Sequence, residues 1–96
     1  MKNKIILDSK NIHILDNLRK EKKIIMCHGV FDVLHYGHIT HFEDAKKNGN
    51  VLVVSLTDNK FVNKGPDRPL FDSIIRAKSL LALQSIDFVI ISKDFD

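Results

Sequence analysis

At 96 residues, 44% hydrophobic and 28% charged, the chain has room for one small folded domain and is too apolar to be a disordered segment. The formal charge of +3 comes from lysines spread from Lys2 to Lys93 with acidic residues between them, which suits small anions and gives little support to sequence-specific nucleic-acid binding. Runs such as Ile24–Met26 and Val51–Leu56 are too short to span a bilayer, no signal-peptide stretch opens the chain, and the single cysteine, Cys27, excludes an internal disulfide; a cytoplasmic protein without membrane partners is the expectation.

Lys4–Leu7 reads as a minor strand. Ile12, Leu15 and Leu18 recur at helical spacing behind Ser9 or Asn11 as N-cap, which predicts a helix over roughly Lys10–Lys20. Residues 1–20 are therefore expected to be an N-terminal appendage, and residues 21–96 the domain proper. Ile24-Ile25-Met26-Cys27 is an unbroken apolar stretch stopped by His28-Gly29, the pattern of a strand covered on both faces in a parallel sheet. From His38 to Lys47 the pattern is helical, with Ile39, Phe42 and Ala45 at successive threes. Asn48-Gly49 supplies the stop, Gly49 suiting a left-handed position. Val51–Leu56 is a second buried strand. The loop after it holds Lys60, Lys64, Gly65, Pro66, Arg68 and Pro69, and its prolines exclude regular structure. Asp72 caps a predicted helix over Ser73–Leu83 with Ile74, Ala77 and Leu81 on one face, and Ile86–Ile91 is a third strand. The order βαβαβ predicts an α/β fold: a Rossmann-like parallel sheet with helices on both faces, ending after the third core strand.

Ligands of open parallel sheets bind at the carboxyl ends of strands, so the stretch between the first core strand and its helix is where function is expected. It contains Gly29, Asp32, His35, Gly37 and His38. Glycine lets backbone approach a ligand closely, and amides at a helix start favour an anion. His35 and His38, three apart across that start, can face one point and make a cradle for phosphate oxygens. The plainer alternative for either histidine is a cap or a solvated side chain. A zinc site on His35, His38 and His41 competes, but helical ligand pairs usually stand at i and i+4, and no cysteine pair completes a set. Cys27 reads as an inert strand residue, Lys46 as part of a solvated helix face, His41 as a surface residue, and Phe31, Phe42, Phe61 and Phe71 as core or loop anchors.

Gly29-Val30-Phe31-Asp32-Val33-Leu34-His35-Tyr36-Gly37-His38 resembles the G-x-F-D-x-x-H-x-G-H signature of the cytidylyltransferase-like nucleotidyltransferases, part of the superfamily named for its HIGH motif. The likeness continues through Asn63-Lys64-Gly65-Pro66-Asp67-Arg68-Pro69 to Arg76 and into Ile86-Asp87-Phe88-Val89. In that combination it is similar to the nucleotidyltransferase domain of bifunctional ADP-heptose synthases and of other sugar-kinase-fused relatives. The resemblance implies that His35 and His38 bind the triphosphate and stabilise charge on the α-phosphate and the leaving pyrophosphate. It implies further that Lys64 and Arg76 neutralise phosphate oxygens, that Val30 and Phe31 line the nucleotide pocket beside Gly29 and Gly37, and that Asp32 holds the turn or orients a neighbour without being catalytic. Arg68 is either a nucleotide contact or a loop-surface charge.

The reaction so implied transfers CMP or AMP from CTP or ATP to a sugar phosphate with release of pyrophosphate. Mg²⁺ would be bound mainly through nucleotide phosphates, with no protein metal ligand. A fused or associated sugar-kinase domain and a homodimer are the implied protein partners. Family domains continue past the third strand, so an incomplete pocket and poor turnover by the 96-residue piece alone are expected. A glycerol-3-phosphate-type cytidylyltransferase, a nonenzymatic nucleotide-binding or regulatory module and a purely structural α/β unit are the alternatives.

Overall fold

Apolar runs and amphipathic runs alternate along the chain, and they give a strand-and-helix sequence of β1 (Ile5–Leu7), α1 (His13–Arg19), β2 (Ile24–Gly29), α2 (Tyr36–Lys46), β3 (Val51–Thr57), α3 (Ser73–Leu81) and β4 (Phe88–Ser92). The computed structural model describes residues 5–8, 10–31, 33–58 and 72–92. All described strand pairs are parallel, in the order β1-β4-β3-β2. The chain has the Rossmann-like α/β fold that its pattern predicts.

Strand β3, VLVVSLT, is the most buried of the set and lies between β2 and β4, with Ile24 opposite Val51 and Val54 opposite Val89. Alternation splits its side chains between two faces. Leu52, Val54 and Leu56 join Phe42 of α2, Ala77 and Leu80 of α3, and Val89 in one core. Val51 and Val53 join Leu7 of β1 and Leu15 of α1 in another. Helices α2 and α3 thus cover one face and α1 the other. The N-terminal strand β1 belongs to the same sheet, on the outer side of β4, and α1 packs on the sheet face through Leu15.

Several local expectations are corrected. Strand β2 is not covered on both faces: Met26 is 54% exposed, because β2 pairs only with β3 among the described residues and α1 lies toward β1. The buried stripe of α3 is Ser73, Arg76, Ala77 and Leu80, which leaves Ile74 and Ile75 exposed. Asn11 does not cap α1; its side chain accepts from the Asp8 amide, and Ile12 occupies the N-cap position without a side-chain bond, while Ser9 lies outside the described residues. Gly49 is not left-handed. A Cβ there would stand 2.7 Å from Ile25 Cγ1 and 2.9 Å from the Lys23 carbonyl oxygen, so the position requires glycine for space.

Lys46 is not a solvated-face residue either. Its ammonium pairs with Asp87 and donates to the Asn50 carbonyl at 2.8 Å, and Asp87 also accepts from the Leu52 amide at 2.8 Å. This staple joins the end of α2 to the amino ends of β3 and β4, at the opposite end of the sheet from the loop that follows β2. No helix among the described residues is long and apolar enough to cross a membrane.

Candidate active site

The loop leaving β2 is shaped by an aromatic ring folded back over glycine. Phe31 has φ 50, a left-handed conformation that is unfavourable for a bulky side chain. In that conformation its ring packs edge-on against Phe42, with centroids 5.2 Å apart, and against His38 at 5.6 Å. A Cβ on Gly29 would sit 2.6 Å from the Phe31 ring, so Gly29 is needed for this packing.

The far side of the loop is tied down by Arg76. Its side chain is 1% exposed, and Nη1 donates to the carbonyls of Val30 and Thr57, both at 2.9 Å. Arg76 therefore joins the carboxyl ends of β2 and β3 from the first turn of α3, whose start is capped by the Asp72 carboxylate accepting from the Ile74 amide at 2.7 Å. Sequence reasoning placed Arg76 near phosphate and missed this anchoring. The 73/76/77/80 spacing of its stripe was the signal available for finding it.

The loop delivers the chain to α2 with His35 as N-cap, in extended conformation. His35 Nδ1 accepts from the Gly37 amide at 3.0 Å, and His38 Nδ1 accepts from the His35 amide at 3.2 Å. The two rings lie 4.0 Å apart between centroids, tilted by 36°. The amides of His38 and Ile39 are bonded to the His35 carbonyl, so these amides and that of Gly37 already have partners within the turn. His35 is exposed and His38 half-buried. Burial, and then the nearby His35 and His41, hold the His38 imidazole below its ordinary basicity.

His41, the next residue in the row, has Nε2 3.8 Å from Cys27 Sγ. Burial pushes the Cys27 thiol up, away from a reactive thiolate. His28, which sequence reasoning passed over, pairs through Nδ1 with Ser55 Oγ at 3.0 Å on the sheet face that α1 partly covers. Among the described residues no three His, Cys, Asp or Glu side chains converge to hold a metal ion. The structure thus brings together Gly29, Val30, Phe31, His35, Gly37, His38 and Arg76 at the carboxyl end of the sheet. Asp32, Lys64 and Arg68, with the rest of the 63–69 segment, lie outside the described residues.

The family model for cytidylyltransferase-like proteins matches residues 26–96, a span that contains the whole of this loop, α2, β3, α3 and β4. The chain belongs to the cytidylyltransferase-like family. Within that family it is similar to the bifunctional protein HldE of Desulfatibacillum aliphaticivorans, 45% identical over 78 residues that make up 78% of this chain and 16% of that protein. The HldE protein of Nitratiruptor is 36% identical over 92 residues, 94% of this chain and 19% of the relative. The chain therefore spans less than a fifth of the length of these curated relatives. Among solved structures, the lipopolysaccharide core biosynthesis protein of Thermoplasma volcanium superposes with a TM-score of 0.71 at 32% identity, over 78% of this chain and 62% of the other.

Proposed function

We propose that this domain transfers a nucleotidyl group, CMP or AMP, from a nucleoside triphosphate to a sugar phosphate and releases pyrophosphate. The observation that carries the reading is the pair of imidazoles of His35 and His38, 4.0 Å apart at the start of α2 and above the carboxyl end of β2. In such a transfer a sugar-phosphate oxygen attacks the α-phosphorus in line, and the bond to the bridging oxygen of pyrophosphate breaks. Negative charge grows on the α-phosphate oxygens and on the departing group. Donors fixed in advance at that place lower the barrier, because they need no reorganisation as the charge forms.

His35 and His38 are the donors in this scheme, and Lys64 is proposed as a further counter-charge to phosphate. Arg76 holds the Val30 and Thr57 carbonyls and so fixes the floor of the pocket under the nucleotide; a phosphate contact by Arg76, and a nucleotide contact by Arg68, are proposed from the family likeness. Val30 and Phe31 line the nucleotide side, with Gly29 and Asp32 shaping the turn. A sugar phosphate as acceptor is supported by the lipopolysaccharide-core relative, and a second functional unit by the bifunctional HldE relatives; that this unit is a sugar kinase is proposed from the family likeness.

Mg²⁺ takes oxygen ligands and is held readily by substrate phosphates, so the ion is proposed to arrive on the triphosphate, and no step is assigned to it.

The test is His38→Ala in the complete protein, assayed by pyrophosphate release with CTP or ATP and a panel of sugar phosphates. Loss of one imidazole donor should lower turnover by on the order of 10²-fold or more, with the circular dichroism spectrum unchanged. Turnover at the wild-type rate would remove His38 from the mechanism and the reading with it.

A further inference from the structure

We propose that the backbone amides of His35 and Gly37 are positioning groups that lock both imidazoles with the proton on Nε2, and that Gly37 is glycine because the lock needs its missing side chain. This rests on the reading of His35 and His38 as phosphate donors and deepens it.

A capping box normally pairs a serine or threonine hydroxyl with a glutamate or glutamine, each accepting an amide from the other's end of the first turn. Here both acceptors are imidazole nitrogens: His35 Nδ1 takes the Gly37 amide and His38 Nδ1 takes the His35 amide. A neutral imidazole has one donor nitrogen and one acceptor nitrogen. With Nδ1 accepting, the proton stands on Nε2 in both rings, and hydrogen bonding of the other nitrogen is what sets a histidine's tautomer. The two side chains therefore do two jobs with opposite edges. Nδ1 satisfies amides at the helix start, and Nε2–H is left to donate to a phosphate oxygen.

Gly37 belongs to the same device. It is not in a left-handed conformation, so conformational freedom does not explain it. A Cβ there would stand 2.8 Å from His35 Cε1 and 3.1 Å from His35 Nδ1, in the space the ring needs to reach the amide. Alanine at this position pushes the His35 ring off its amide. The His38 bond runs to the His35 backbone, outside that conflict, and survives.

The experiment is a long-range proton–nitrogen correlation spectrum of the complete protein with ¹⁵N-labelled histidine, without ligand, at a pH where both rings are neutral. The expected result is a pyridine-like Nδ1 and a pyrrole-like Nε2 for His35 and His38 alike. A protonated Nδ1, or tautomer averaging, at either residue overturns the proposal. In Gly37→Ala the pyridine-like Nδ1 resonance of His35 should be lost and that of His38 kept; retention of both overturns the role of Gly37. If that variant does not fold, the wild-type spectrum still decides the lock. A locked spectrum in a protein that releases no pyrophosphate from any triphosphate upholds the lock and sinks the transferase reading. Averaged tautomers in an active protein do the reverse.

Discussion

His38 sits where helix, loop and neighbouring imidazoles meet, and its titration follows from that place. Burial first, and then His35 and His41, push its basicity below the ordinary value of 6.5. Above about 6.5 the ring is neutral in both folded and unfolded chains. As pH falls below that, the unfolded chain takes the proton first, so it binds more protons than the folded one and stability drops. The loss ends once pH has passed below the lowered folded value. The unfolding temperature should therefore fall through this window on acidification. His38→Gln keeps an acceptor for the His35 amide but cannot titrate, so its curve should be flatter over the same range. Thermal unfolding of both proteins against pH checks this, and equal slopes would show that His38 is not the group responsible. At this scale the H-x-G-H pair is visible in the sequence, and its reading as a phosphate cradle draws on the strand before it, the helix after it and the family resemblance rather than on the two histidines alone. The reciprocal cap is not visible there, since sequence rules for caps are written for hydroxyls and carboxylates. Nor is the conformation of Phe31, which ring packing against Phe42 and His38 imposes against the local preference.

Periodicity located every described element, yet it misassigned faces wherever a polar residue was buried or an apolar one exposed. In α3 the apolar residues Ile74, Ala77 and Leu81 suggested one stripe, whereas the buried stripe is turned to take in Arg76, because the Val30 and Thr57 carbonyls satisfy its guanidinium. In α2 the terminal lysine looked solvated because its partner, Asp87, lies 41 residues away. Asp87 accepts from both Lys46 and the Leu52 amide, so removing it leaves a buried amide and a half-buried ammonium without that partner. Asp87→Ala should cost about 3 kcal/mol, and Asp87→Asn, which can still accept from Leu52, distinctly less. Urea unfolding at fixed pH measures both. A loss within about 0.5 kcal/mol for the alanine variant, the range of ordinary surface changes, would mean that the staple contributes little. The staple lies at the amino ends of the strands, so pyrophosphate release by folded protein should not change.

The extent of the folding unit is a question for the whole molecule. Sequence pattern sets residues 1–20 apart because the family signature begins later, and the family match itself starts at residue 26. Local periodicity carries no record of a parallel pairing between Ile5 and Phe88, so β1 could not be placed from the sequence. Physically, the sheet face that carries Val51 and Val53 is left open by α2 and α3, and it is Leu7 and Leu15 that close it. We propose that β1 and α1 melt together with the rest of the sheet. Leu15 is 4% exposed, and Leu15→Ala should cost about 2–4 kcal/mol through lost burial and the cavity left behind. That loss should displace the single main unfolding transition, because the cluster it opens includes the central strand. Well below the transition, pyrophosphate release should be unaltered, since the β2–α2 loop is held from the other face by Phe42 and Arg76. If α1 instead loosened at low denaturant and the main transition stayed in place, the N-terminal segment would be an appendage in the thermodynamic sense, and the domain would begin at β2.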